Sequence, residues 1–158
     1  MDFGDERCLP VGDTRRNDRM ASEALLDHIA IPPANIHAIP AELGAREAAV
    51  RYAAVLENAA PLDLVLLGMG EDGHIASLFP GNPATGSTAI VVPVFDAPKP
   101  PAERVSLGMG ALNTAQQRIF MVAGAGKRDA LEQILLGKSL PAARVVAAEW
   151  HLDHAALP

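Results

Sequence analysis

Apolar positions follow two rhythms along the chain. The first is the short continuous run. Leu62 to Leu67 is aliphatic except for Asp63 and is bounded by Pro61 and Gly68. A run this short, apolar on both faces, predicts a buried parallel strand. Arg118 to Ala123 has the same character, and Arg104 to Leu107 is a shorter version. Ala89 to Phe95 reads as a strand that Pro93 places at an edge or a bend. Ala143 to Ala147 reads as a last strand, and Met1-Asp2-Phe3 as the end of one. The second rhythm is helical. Ala21, Leu25 and Ile29 share one face and predict a helix from about Arg19 to Ile29, capped by Asn17 or Asp18. Ile31-Pro32-Pro33 ends it. Glu42 to Asn58 is the strongest helical pattern. It has an Ala49, Ala53, Leu56 stripe and a Glu47–Arg51 pair one turn apart.

Shorter helices are expected at Ala111 to Ala115, at Lys127 to Leu136 with Gly137 as its stop, and as a terminal turn at Trp150 to Ala156. Ile75 to Phe79 also reads as a short helix, stopped by Pro80-Gly81. Gly4 to Cys8 reads as a polar loop. Strands alternating with helices, with glycine turns after several strands, predict an α/β fold around a parallel, helix-covered sheet.

Composition narrows the function classes. The chain has 158 residues, 49% of them hydrophobic and 20% charged, which suits one globular domain. No apolar run approaches the roughly 20 residues that span a bilayer, and no signal-like segment opens the chain, so no membrane partner is expected. Cys8 is the single cysteine and has no internal disulfide partner, which fits a cytoplasmic location. A net charge of -6 and 4% aromatic residues argue against nucleic acid. An anionic small substrate remains compatible, because a site can concentrate Arg and Lys locally.

The densest chemistry follows the Leu62–Leu67 run. Gly68-x-Gly70-x-x-Gly73 has the dinucleotide-binding spacing, and Asp96 lies near the offset of a ribose-binding acid. A pyrophosphate here would face Glu71 and Asp72, and no long helix has room to follow, so that reading is rejected. His74 is instead the natural general base, with Asp72 placed to orient it. Gly124-Ala125-Gly126-Lys127, after another strand, offers backbone N–H groups and a lysine to a phosphate. It is not a Walker A loop: Met121 stands where the first glycine belongs and Arg128 follows the lysine. Asp5 and Arg7 lie at a third strand end, and in a parallel sheet the three loops share one edge. Neither Glu71, Asp72 and His74 nor His151 and His154 forms a complete metal-ligand set, so no metal is expected. Arg7 beside Cys8 favours a lowered thiol pKa, but no base partner is evident and Cys8 reads as structural.

Several runs together resemble the 6-phosphogluconolactonase family. They are Gly4-Asp5-Glu6-Arg7-Cys8-Leu9-Pro10, Asn17-x-Arg19-Met20, Asn35-Ile36-His37 and Leu66 to Gly81. Downstream come Arg104-Val105-Ser106-Leu107, Ala111-Leu112-Asn113, Gly124 to Lys127 and Trp150-x-x-Asp153. The resemblance implies a modified doubly wound, mostly parallel α/β fold with helices on both faces. It implies hydrolysis of a small sugar-phosphate lactone, 6-phospho-D-glucono-1,5-lactone, to 6-phosphogluconate in the oxidative pentose phosphate pathway, without a cofactor. It makes His74 the base that activates water and places Asp5 near the sugar ring. Arg7 and Lys127 would hold the phosphate or the oxyanion, with Gly70 and Gly126 in the binding loops. The related sugar-phosphate deaminases carry an acid where this chain has Ser77-Leu78-Phe79. Family members also begin upstream with a Gly-Gly-Ser-Thr-Pro-like phosphate loop that nothing here matches. The expectation is therefore a single domain over 1–158 lacking its first strands, with a catalytically silent fragment as the alternative reading. An uncovered sheet edge in such a chain favours self-association.

Overall fold

A computed structural model describes all residues except 58–60. Among the described residues, six strands form two three-stranded sheets. β1 (Asp5–Arg7), β4 (Arg104–Leu107) and β3 (Val91–Val94) make an antiparallel sheet with β4 in the middle. β2 (Leu64–Leu67), β5 (Gln117–Val122) and β6 (Glu149–Leu152) make a parallel sheet with β5 in the middle. The helices are α1 (Asn17–Ala24), α2 (Ala45–Glu57), α3 (Met109–Thr114) and α4 (Arg128–Leu135). The expected α/β architecture and its parallel sheet are present. The antiparallel sheet beside it is not announced by the strand–helix alternation. Among the described residues no helix is long and apolar enough to cross a membrane.

Where local pattern meets burial the expected elements appear. α2 buries Ala45, Ala48, Ala49, Tyr52 and Leu56 and packs on β3 and β4. Its Glu47–Arg51 pair closes at 2.7 Å. The expected end at Asn58 lies outside the described residues. Gly137 takes φ +86 after α4 and ends it with Gly137 N–H on Ile134 O and Lys138 N–H on Gln133 O. Pro93 sits on β3, an edge strand, as its missing N–H requires.

Four expectations are corrected by tertiary contacts. Gly4 to Cys8 is not simply a loop: Asp5, Glu6 and Arg7 pair antiparallel with Ser106, Val105 and Arg104. Ile75 to Phe79 is not helical. Ile75 and Leu78 exchange backbone bonds that close a tight turn, and Ala76 takes φ +46. The last strand is not Ala143 to Ala147, where Pro141–Arg144 forms a 3-10 turn and Val146 is exposed. It is β6, a stretch expected to be helical. Parallel pairing with β5 and a Phe120–Trp150 stack, 3.8 Å between centroids, override its local preference. Finally, β2 is buried on one face only. Val65 and Leu67 face the core, while Leu64 and Leu66 are 45% and 61% exposed, beside Met121 at 63%. β2 is an edge strand, and that face stays exposed.

α1 starts at Asn17, earlier than expected, and neither Asn17 nor Asp18 caps it. The cap comes from β1. The fully buried Glu6 carboxylate accepts the N–H groups of Asn17 (2.7 Å), Asp18 (2.8 Å) and Arg7 (2.8 Å). An anion at the first turn also suits the helix dipole. Burial pushes this carboxyl up, against the three N–H bonds. Glu6 also lies 3.9 Å from the buried Arg16 guanidinium, which bonds Asp18, Glu42 and the carbonyls of Leu9 and Ile39. Glu6→Ala strips the cap and removes one of the anions around Arg16. The expected cost is about 3 kcal/mol of unfolding free energy, read as a lower urea midpoint at unchanged slope. A loss below about 0.5 kcal/mol, the scale of an ordinary surface change, would contradict this account.

Candidate active site

A cleft of about 680 Å³ opens where the two sheets meet. One wall carries Asp5 and Arg7 of β1, Arg104 of β4 and Lys99 of the β3–β4 connection. The other carries the loop after β2, with Gly70, Glu71 and His74, and Lys127 after β5. A second hollow of about 720 Å³, with Leu131, Leu135 and Trp150 in its lining, is mostly apolar. The titratable groups converge in the first.

The loop after β2 is built to hold one imidazole. Gly70 N–H donates to His74 O at 2.8 Å and Gly73 N–H to Gly70 O at 3.0 Å. Gly73 makes its turn at φ +79. Asp72 Oδ1 accepts the His74 backbone N–H at 3.2 Å and meets Nδ1 at 2.5 Å. A carboxylate can only accept, so Nδ1 carries the hydrogen, and in the neutral ring Nε2 is the nitrogen with the lone pair. The Phe79 ring, 4.5 Å away, packs against the imidazole, whose side chain stays 19% exposed. Burial opposes the Asp72 charge, but the two His74 bonds prevail and hold the carboxyl below its usual range. A Cβ on Gly70 would stand 2.0 Å from His74 Nδ1 and 2.8 Å from Asp72 Oδ1. Gly70 is therefore the space that the His74–Asp72 pair occupies.

Across the cleft, the Asp5 carboxyl accepts Ser77 Oγ–H at 2.6 Å and the Asn17 amide at 3.1 Å. Burial pushes its pKa up. The Ser77 bond and the charges of Arg104, Arg7 and His74 oppose that rise without cancelling it. Arg104 is buried and donates to the carbonyls of Lys99 (2.8 Å) and Pro101 (3.2 Å), with its guanidinium 5.5 Å from the Phe79 centroid. Burial pulls Arg104 down from the usual guanidinium value, and Asp5 counteracts it. Arg7 bonds the carbonyl of Arg15 through Nη1. Four cations, Arg7, Lys99, Arg104 and Lys127, thus line a cleft whose acids are Asp5 and Glu71. A chain of net charge -6 presents a cationic site.

The structure brings His74, Asp5, Arg7, Lys127 and Gly70 together at this cleft, with Asp72 behind the imidazole rather than on the surface of the lining. Gly126 does not line it. A Cβ there would come 3.0 Å from Glu71 Oε1, so Gly126 makes room for that carboxylate. The Gly124 N–H is not free for a phosphate either, because both Asp153 oxygens accept it at 3.0 and 3.1 Å. Of the Gly124–Lys127 stretch, Lys127 is the member that reaches the cleft. The Cys8 thiol is not activated: burial, then the Glu103 charge, push it up to about 11. His37 sits outside the cleft on Asp2, and His151 on Glu149. Among the described residues no three His, Cys, Asp or Glu side chains gather as metal ligands.

Sequence reasoning missed Ser77, Asn17, Lys99 and Arg104 as site residues. Two carry a signal in retrospect. Ser77 is the one polar residue in Ile75 to Phe79, and Lys99 is a lone cation among prolines. Arg104 and Asn17 look like ordinary strand and helix-start residues. For Gly70→Ala the expected result is loss of the downfield His74 Nδ1 proton in the NMR spectrum, with the chain still folded. Persistence of that proton would show that the ring has room elsewhere.

Comparison with known proteins converges on one family. A family model described as glucosamine-6-phosphate isomerases/6-phosphogluconolactonase matches residues 1–153. The 6-phosphogluconolactonase of Mycobacterium leprae is 41% identical, over 98% of this chain and 70% of its own length. That of Streptomyces coelicolor is 38% identical, over 98% of this chain and 67% of its own. The crystal structure of 6-phosphogluconolactonase from Thermotoga maritima superposes with a TM-score of 0.89 at 31% identity. It covers 96% of this chain and 71% of that one. With the sequence runs, the fold and the family model in agreement, the chain belongs to the glucosamine-6-phosphate isomerase/6-phosphogluconolactonase family.

Proposed function

We propose that this chain hydrolyses 6-phospho-D-glucono-1,5-lactone to 6-phosphogluconate, the lactone-opening step of the oxidative pentose phosphate pathway. The observation that carries the reading is the Asp72–His74 pair on a cleft lined by four cations. An ester carbonyl needs a water, a base to take its proton and a cationic environment for the oxyanion. His74 Nε2 takes a proton from water as its oxygen bonds the lactone carbonyl carbon. Asp72 stabilises the imidazolium that results. The carbonyl electrons move to oxygen, giving a tetrahedral oxyanion. Its collapse restores the carbonyl and breaks the bond to the ring oxygen, which takes the proton back from His74. Arg7 and Lys127 serve the phosphate or the oxyanion, and Asp5 borders the sugar ring.

The test is hydrolysis by the purified chain against the spontaneous rate. His74→Ala is expected to cost roughly 10²–10⁴-fold in kcat, the range of general-base catalysis. A His74→Ala chain as fast as the parent would remove the base assignment, and a parent no faster than buffer would remove the function. Lys127→Ala is expected to lower kcat/KM by about tenfold or more. A loss confined to KM assigns Lys127 to the phosphate, whereas a loss in kcat assigns it to the oxyanion.

A further inference from the structure

Ser77 takes no part in the steps above, yet it is fully buried directly behind Asp5 and Ala76, which line the cleft. Its hydroxyl donates to Asp5 Oδ2 at 2.6 Å and its backbone N–H to Ser106 Oγ at 3.2 Å. Asp5 and Ser106 stand opposite each other in the β1–β4 ladder. Ser106 commits its own hydrogen to Leu107 O at 3.0 Å, which leaves its oxygen free to accept from Ser77. Ser77 is therefore clasped by two residues of the antiparallel sheet, while three positions earlier the same turn carries His74. The left-handed Ala76, φ +46, lies in the bend between them. A buried hydroxyl at 2.6 Å from a half-buried carboxylate is a charge-assisted bond, stronger and more directional than a neutral one.

We propose that Ser77 is a positioning residue: its hydroxyl holds the Asp5 carboxylate toward Arg7, Arg104 and His74, so that the turn delivering the base also sets the acid across the cleft. The groups facing Asp5 are Arg7 of its own strand, Arg104 of β4, His74 of the loop after β2 and the Asn17 amide of α1. Burial raises the Asp5 carboxyl, and among the opposing effects the Ser77 bond is the largest. The sign follows. The carboxylate is lost as pH falls through its raised pKa, and without the Ser77 bond that loss comes at still higher pH.

The kinetic arm rests on the lactone-hydrolase reading; the titration arm does not. Ser77→Ala is expected to lower kcat/KM by roughly tenfold to a hundredfold, the scale of a hydrogen bond to a charged group. Its acidic limb should move to higher pH, the direction in which loss of the Ser77 bond moves the Asp5 carboxyl. In a double-mutant cycle, adding Ser77→Ala to Asp5→Asn should cost little further, because both act through one carboxyl. In ¹³C carboxyl NMR, Asp5, assigned through Asp5→Asn, should titrate higher in Ser77→Ala than in the parent. Multiplying losses in the cycle, or an Asp5 titration unchanged by Ser77→Ala, would overturn the proposal. Should Ser77→Ala fail to fold, Ser77→Cys, close in volume and a weak donor, supplies the same comparisons with smaller shifts in the same direction. If the parent hydrolyses no lactone, the function reading falls and the NMR titration alone decides the role of Ser77.

Discussion

Two adjacent carboxylates on one three-residue strand shape much of the structure: Glu6 is fully buried and Asp5 is half-buried. A buried charge is tolerated only when hydrogen bonds and opposite charges replace its water. Strand alternation sends the two side chains to opposite faces. Glu6 takes the first N–H groups of α1 and approaches Arg16, which ties Leu9, Ile39 and Glu42 into one network. Asp5 takes Ser77 and Asn17 and offsets the charge of Arg104. A strand too short to hold itself by pairing alone is held by the partners its acids require.

That arrangement sets the electrostatics of the cleft. Arg7 and Arg104 stand opposite each other in the β1–β4 ladder, and the nearby Asp5 charge makes their proximity tolerable. Across the cleft His74 is presented by a loop whose conformation depends on a missing side chain at Gly70. His74 and Lys127 come from the parallel sheet and the two arginines from the antiparallel one, so their relation is set by how the sheets meet. Ser77 is a direct hydrogen-bonded joint between the turn after His74 and β1 and β4.

Local chain chemistry was legible without coordinates wherever a short window held the whole cause. The β2 run, the glycine loop with Asp72 and His74, the α2 stripe and the Gly137 stop are of this kind. The His74–Asp72 bond spans two residues, and the sequence already contains its geometry. Errors arose where a distant partner outweighed local preference. Trp150 reads as helical until Phe120 is placed beside it, and Ile75 to Phe79 reads as helical until Ser77 is bound on both sides. Gly124 looks like a free phosphate-binding N–H until Asp153, far along the chain, takes it.

By itself, then, the sequence determined the α/β class, the placement of Asp72 two residues before His74 in a glycine-rich loop, and the cations Arg7 and Lys127. Those properties live in neighbouring residues and in side-chain chemistry. Only the tertiary structure decided that β1 is a strand, that Lys99 and Arg104 complete the cationic cleft, and that Gly126 serves Glu71 instead. It alone decided that Ser77 meets Asp5, a bond between residues 72 positions apart. The physical reason is that a hydrogen bond across such a distance is selected by the packing of whole sheets, and no window of sequence contains both of its ends.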